Sequence, residues 1–183
     1  MFFSTIVVSI LSHQVLHFRG VEIVSDPKRK IPDKKWLHLP KLPDEVFAAW
    51  QKPKGALNPS SVVATIDEDG SPRTAPFGSM RAVNSHILRF LVHQRHDTLA
   101  NLKRDSRVMV AMICPPNLAV SVRGVARIVE ESFSADERYA LVEIDINEVK
   151  NDMPVRIEID AGINISPNGP FVEWWKAIWK SLE

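Results

Sequence analysis

The chain has 183 residues, 45% of them apolar, and a net charge of +1. That is enough for one domain with a sizeable core, and too little charge to steer the whole molecule toward nucleic acid or a membrane surface. A single cysteine, Cys114, excludes an intrachain disulfide framework and fits a reducing, cytoplasmic setting.

The opening run MFFSTIVVSIL lacks a basic n-region and a small-residue cleavage site, so it is not read as a secretory signal. It is also too short to span a bilayer, and is expected to pack on the body or on a partner subunit. Residues 25–43, SDPKRKIPDKKWLHLPKLP, read as an extended surface connector rich in proline and base. Pro43, Asp44 and Glu45 then open a short helix through Trp50, since proline and acids suit a first turn. SVVATI (61–66) reads as a strand, DEDG (67–70) as a turn with Gly70 available for positive φ, and SPRTAPFGSM (71–80) as the returning strand. Pro72 and Pro76 confine that second strand to an edge or a bulge.

ILRFLV (87–92) is the next strand, and Thr98 to Arg104 a short helix with Leu99 and Leu102 on one face. RVMVAMI (107–113) and LAVSVRGVARIVEE (118–131) read as long strands. Ser134 to Val142 is expected to be a helix, with Ser134 and Glu137 as a capping box. PVRIEIDAGINI (154–165) alternates like a strand, and GPFVEWWKAIWKSL (169–182) like an amphipathic helix. This order predicts a mainly β chain, a small antiparallel Greek-key-like barrel with peripheral helices. The expected division is an extension over 1–42, a barrel over 43–160 and a C-terminal helix segment over 161–183, packed on the barrel or a dimer interface.

Ala64, Thr65, Asp67, Asp69, Gly70, Pro72 and Pro76, followed after a strand by Asn101, Leu102, Asp105, Arg107 and Val108, form an ordered set with family-like gaps. With it, residues 43 to 131 resemble the pyridoxamine 5′-phosphate oxidase-like split-barrel flavoproteins. The resemblance implies a homodimer with FMN in a groove at its interface, a small-molecule substrate or electron donor, and no nucleic-acid or membrane partner. It implies an oxidoreductase whose redox chemistry belongs to the flavin. Two other readings accompany it: a deazaflavin-dependent reductase, and a non-catalytic flavin- or haem-binding sensor or store.

The residues themselves suggest where the phosphate would lie. A phosphomonoester needs a guanidinium and hydroxyl or backbone donors, and a helix N-terminus adds free N–H groups. HQRHDT offers His93, Gln94, Arg95 and Thr98, with Asn101 one turn on. Many relatives carry a Ser-Arg-Lys-like triplet where this chain has His96, Asp97 and Thr98. Asp97 is the wrong charge for a phosphate and is expected to cap the helix. The flat ring would lie along Thr74, Ala75, Pro76 and Phe77, where Pro76 interrupts the ladder and Gly78 allows a close approach. His13 with His17 and His93 with His96 lack the further ligands of a metal site. Cys114 reads as a structural thiol, and Trp174, Trp175 and Trp179 as packing residues, with stacking on a flavin the rarer alternative.

Overall fold

The computed structural model describes residues 37–53, 55–154 and 156–182, apart from the side chains of Trp179 and Lys180. The apolar opening run, the His13 and His17 pair and most of the connector lie outside the described residues.

Eight strands and three α-helices follow in order: β1 (His38–Leu39), α1 (Asp44–Trp50), β2 (Ser61–Ile66), β3 (Pro72–Phe77), β4 (Arg81–Asn84), β5 (Ile87–His93), α2 (Asp97–Arg104), β6 (Arg107–Cys114), β7 (Leu118–Glu130), β8 (Tyr139–Asn151) and α3 (Val172–Leu182), the last entered through a 3-10 turn at Gly169–Phe171. The strands form one antiparallel sheet in the order β3-β2-β6-β7-β8-β5-β4, with β1 on β8. It is a split barrel, as expected, with β3 and β4 at its open ends. No helix among the described residues is long and apolar enough to cross a membrane.

Alternation sets the inside. β2 buries Ser61, Val63 and Thr65, and β6 buries Val108, Val110 and Met112. They meet Leu88, Phe90 and Val92 of β5, Val120 and Val122 of β7, and Val142 and Ile144 of β8. α1 adds Trp50, whose indole N–H donates to Ser61 Oγ at 2.9 Å, satisfying the polar edge of a fully buried ring. A second apolar cluster lies under α3, where Ile178 and Leu182 cover Leu91, Leu141 and Phe133, with Trp174 and Trp175 packed beside them. These two tryptophans are packing residues.

Gly124 is required where β7 shifts register against β8. A Cβ there would lie 2.4 Å from the Asp145 carbonyl oxygen and 2.6 Å from an Ile144 methyl. Gly124→Ala is expected to cost about 1–3 kcal/mol by overpacking, read as a lower denaturant midpoint.

Four expectations need correction. Ser134 to Val142 is not a helix: Phe133 bridges Asp136, a turn follows, and β8 starts at Tyr139. Pairing to β5 on one side and β7 on the other claims this backbone, so tertiary context overrides local pattern. The Ser134 N–H takes Glu130 Oε2 at 3.1 Å instead of opening a helix. Among the described residues of 154–165 no strand forms either. The segment is tied down by single bonds: Ile159 N–H to Pro116 O at 2.8 Å, Ser60 Oγ to Ile163 O at 2.8 Å, and the Asn58 amide both to and from the Ile165 backbone at 2.9 Å. The third correction concerns Pro76, which does not interrupt the ladder: β2 and β3 stay in continuous register from Ser61↔Phe77 to Ile66↔Pro72. Last, Asp97 is not the helix cap; it is the first residue of α2, behind the cap His96.

Lys52 follows α1 and is buried beneath its loop, its Nζ donating to the carbonyls of Leu57 at 3.0 Å and Gly78 at 3.1 Å. Burial first, then the Arg81 charge, lowers its pKa from 10.5 to about 7. Between those two values the unfolded lysine carries a proton that the folded one has lost, so stability rises with pH across that window. We expect the denaturant midpoint to climb from pH 7 to pH 9.5 and the climb to flatten in Lys52→Met. An equal climb in both proteins would rule Lys52 out as its source.

Candidate functional site

Among the described residues β3 is an edge strand, bonded to β2 on one side only. Backbone groups of an antiparallel strand point alternately toward and away from the neighbour. Proline has no N–H to give, and Pro72, Thr74 and Pro76 share one phase of that alternation, opposite Ile66, Ala64 and Val62. That phase faces away from β2. The Thr74 N–H and the carbonyls of Pro72, Thr74 and Pro76 therefore form a short open edge. Thr74 and Pro76 are exposed and Ala75 is half-buried. Phe77 turns inward, its ring edge-on to Phe90 at 5.0 Å and to His96 at 5.6 Å. The last contact brings the end of β3 to the start of α2. Gly78 offers no space to a ligand, because a Cβ there would lie 2.6 Å from Ile165 and 3.0 Å from Leu57.

Beyond β5 the chain turns through His93 to His96. His96 Nδ1 accepts from the Thr98 N–H at 3.2 Å, so one of the four free donors of α2 is already occupied. Thr98 and Asn101 are both 2% exposed. The Asn101 amide donates to Thr65 Oγ1 at 3.1 Å and accepts from Arg104 at 2.9 Å, tying α2 to β2. Thr98 and Asn101 thus belong to the inner face of α2, while His93, Gln94 and Arg95 lie at the surface. Asp97 is exposed, and its charge is among the weaker influences raising the pKa of Arg73, after the direct bond from Asp67.

His93, Gln94 and Arg95 line an open cavity of about 460 Å³ together with Ser132, Glu137 and Arg138. The Arg95 backbone N–H donates to His93 Nδ1 at 3.1 Å, fixing the turn. Its guanidinium makes no ion pair among the described residues, whereas Arg138 is held by Asp136 at 2.5 Å. The Arg138 carbonyl accepts from the Gln94 N–H at 2.8 Å, joining the two walls. Behind them an aromatic row runs from His93 to Tyr139 at 5.2 Å and on to Trp174 at 5.2 Å. No group of three metal-binding side chains stands together among the described residues.

A model of the pyridoxamine 5′-phosphate oxidase family matches residues 47–157. The chain belongs to that family. The match runs from within α1 through β8, and so includes β3, the His93 turn and every residue lining the cavity. A solved structure from Lactobacillus delbrueckii that carries the name of pyridoxamine 5′-phosphate oxidase is 26% identical, has a TM-score of 0.53, and is covered over 98% of its length by 62% of this chain. The Group A Streptococcus protein HupZ shares the fold at 16% identity and a TM-score of 0.51, covering 66% of this chain and 99% of its own. No curated protein matches the chain.

Sequence reasoning found one wall of the cavity in this family member and missed the other. Glu137 and Arg138, with Asp136 behind them, were hidden by reading SADERYALV as a helix, and Ser132 fell in the gap between that helix and the strand before it. Three charged residues in ADER, directly before an apolar run, were the available signal of an exposed turn.

Proposed function

We propose that the protein binds FMN as a homodimer and acts as an oxidoreductase on a small-molecule substrate. The observation that carries the reading is Arg95, a guanidinium without an ion pair among the described residues, standing at a cavity of about 460 Å³ in a chain of this family. The donor set suits a phosphate monoester: Arg95 for charge, Ser132 for a hydroxyl, and the His93 to Arg95 turn for shape. The open edge of β3 offers the Thr74 N–H as a donor to one flavin carbonyl and a neighbouring carbonyl as acceptor for the single ring N–H. Bound there, FMN would supply the electron transfer; the chain's residues bind it, orient it and shape the space beside it. The dimer reading rests on the outer face of β6 and β7, where Met109 is 45%, Ile113 45%, Val125 40% and Val129 42% exposed. Exposed apolar side chains at these positions, interleaved with Arg107, Arg123 and Arg127, support a protein contact on this face.

Two measurements test the reading. Purified protein should show flavin absorption bands after incubation with FMN and desalting, and light scattering at micromolar concentration should give twice the mass of one chain. Anaerobic mixing with NADH or NADPH should then bleach the bound flavin faster than free FMN. Bleaching no faster than free FMN with either nucleotide would shift weight to a flavin-holding protein without turnover.

A further inference from the structure

We propose that Asp136 is a positioning residue that fits the cavity to a phosphate ester, by holding Arg138 and the C-terminal helix against the His93 to Arg95 turn. The inference rests on the FMN reading above and adds to it what sets the choice between phosphorylated and unphosphorylated flavin.

The Asp136 side chain is only 9% exposed. Its two oxygens are filled. Oδ1 accepts from the Arg138 backbone N–H at 3.0 Å and from Arg138 Nε at 2.9 Å. Oδ2 accepts from Arg138 Nη2 at 2.5 Å and from the Trp174 indole N–H at 2.7 Å. A carboxylate has about four acceptor positions, so this one is saturated by two residues, one of them 38 positions away on α3. The bond from Arg138, followed by smaller contributions that include Trp174, holds the carboxyl far below the usual carboxylate range, so it is ionised at any ordinary pH.

The consequence is a guanidinium held at the cavity wall. Arg138 is gripped through Nε and Nη2 and lies over the Trp174 ring at 5.9 Å. Trp174 in turn backs Tyr139, and Tyr139 backs His93. A fixed fork loses less freedom on meeting a ligand than a solvated arginine does. Arg95 and Glu137 line the same cavity, the one adding attraction for a phosphate and the other opposing it. A phosphate senses all of these, whereas an uncharged ribityl hydroxyl senses little of them.

The test compares FMN with riboflavin, titrated separately into the full-length protein and followed by quenching of flavin fluorescence. The parent should prefer FMN. Asp136→Asn should lower the ratio of FMN to riboflavin affinity ~10-fold, the scale of one charge-assisted bond, although it also removes a negative charge near the phosphate; a raised ratio would overturn the inference. Trp174→Phe, which keeps a ring and removes the donor, should lower it by a smaller factor, and Glu137→Gln should raise it. General loosening of the fold would weaken both flavins and leave the ratio alone. Should Asp136→Asn fail to fold, Trp174→Phe decides. An unchanged ratio in the folded variants overturns this inference and leaves the FMN reading standing. A parent that binds neither flavin overturns the FMN reading itself.

Discussion

Glu143→Ala is expected to lower stability by about 3 kcal/mol, the lower end of what removing one partner from a buried ion pair costs. Glu143 is 4% exposed on β8. It stands in register with Arg89 of β5 on one side and Arg127 of β7 on the other, and bonds to both. Arg89 also reaches the Leu182 carbonyl at 3.5 Å, so the row helps seat the end of α3. Removing the carboxylate leaves two guanidiniums facing each other across one empty position. The side chains of Arg89 and Arg127 are 25% and 49% exposed, so both can recover some water, which is why the lower end applies. For a domain of this size about 3 kcal/mol corresponds to a melting temperature lower by roughly 6–12 °C. Calorimetry reads the shift directly. Glu143→Gln, which keeps the volume and two hydrogen-bonding groups, should lose less. A shift under about 2 °C for alanine would show that the row is solvated and contributes little, as surface pairs do.

Arg95→Ala is expected to weaken FMN binding roughly 10- to 150-fold, the equivalent of about 1.5–3 kcal/mol for a bond to a charged group. Arg95 is exposed, and among the described residues its guanidinium makes no ion pair whose loss would disturb the fold. Its alanine variant should therefore melt like the parent, and the whole effect should appear in the dissociation constant. Salt should weaken the parent's binding more than the variant's, because screening acts on the charge that was removed. Thr98→Ala provides the contrast. Thr98 is 2% exposed, so its loss should appear in stability before it appears in binding. Equal FMN affinity in parent and Arg95→Ala would place the phosphate elsewhere.

The strands nearest in sequence were legible because their signals are local. SVVATI, DEDG and SPRTAPF carry a β-rich run, a turn glycine at φ +85° and an edge proline pattern, and they fold as β2, a turn and β3. The polar run after ILRFLV was legible as a surface junction for the same reason: an apolar strand stops and donors gather. Local pattern by itself therefore determined the barrel class, the β2–β3 hairpin, α2, and His93 to Arg95 as a candidate wall. What it could not determine depended on neighbours far along the chain. Tyr139 to Val142 has helix-compatible residues, yet β5 and β7 offer backbone partners on both sides, and two ladders outweigh a capping box. PVRIEIDAGINI alternates like a strand, yet single bonds to Pro116, Ser60 and Asn58, far away in sequence, hold its described residues instead. Thr98 and Asn101 were rightly placed on a helix, but only packing against β2 decided that their side of α2 faces inward. The second wall of the cavity is the clearest case. Asp136 and Trp174 are 38 positions apart, and the bond between them exists only because α3 folds back onto the β5–β8 face.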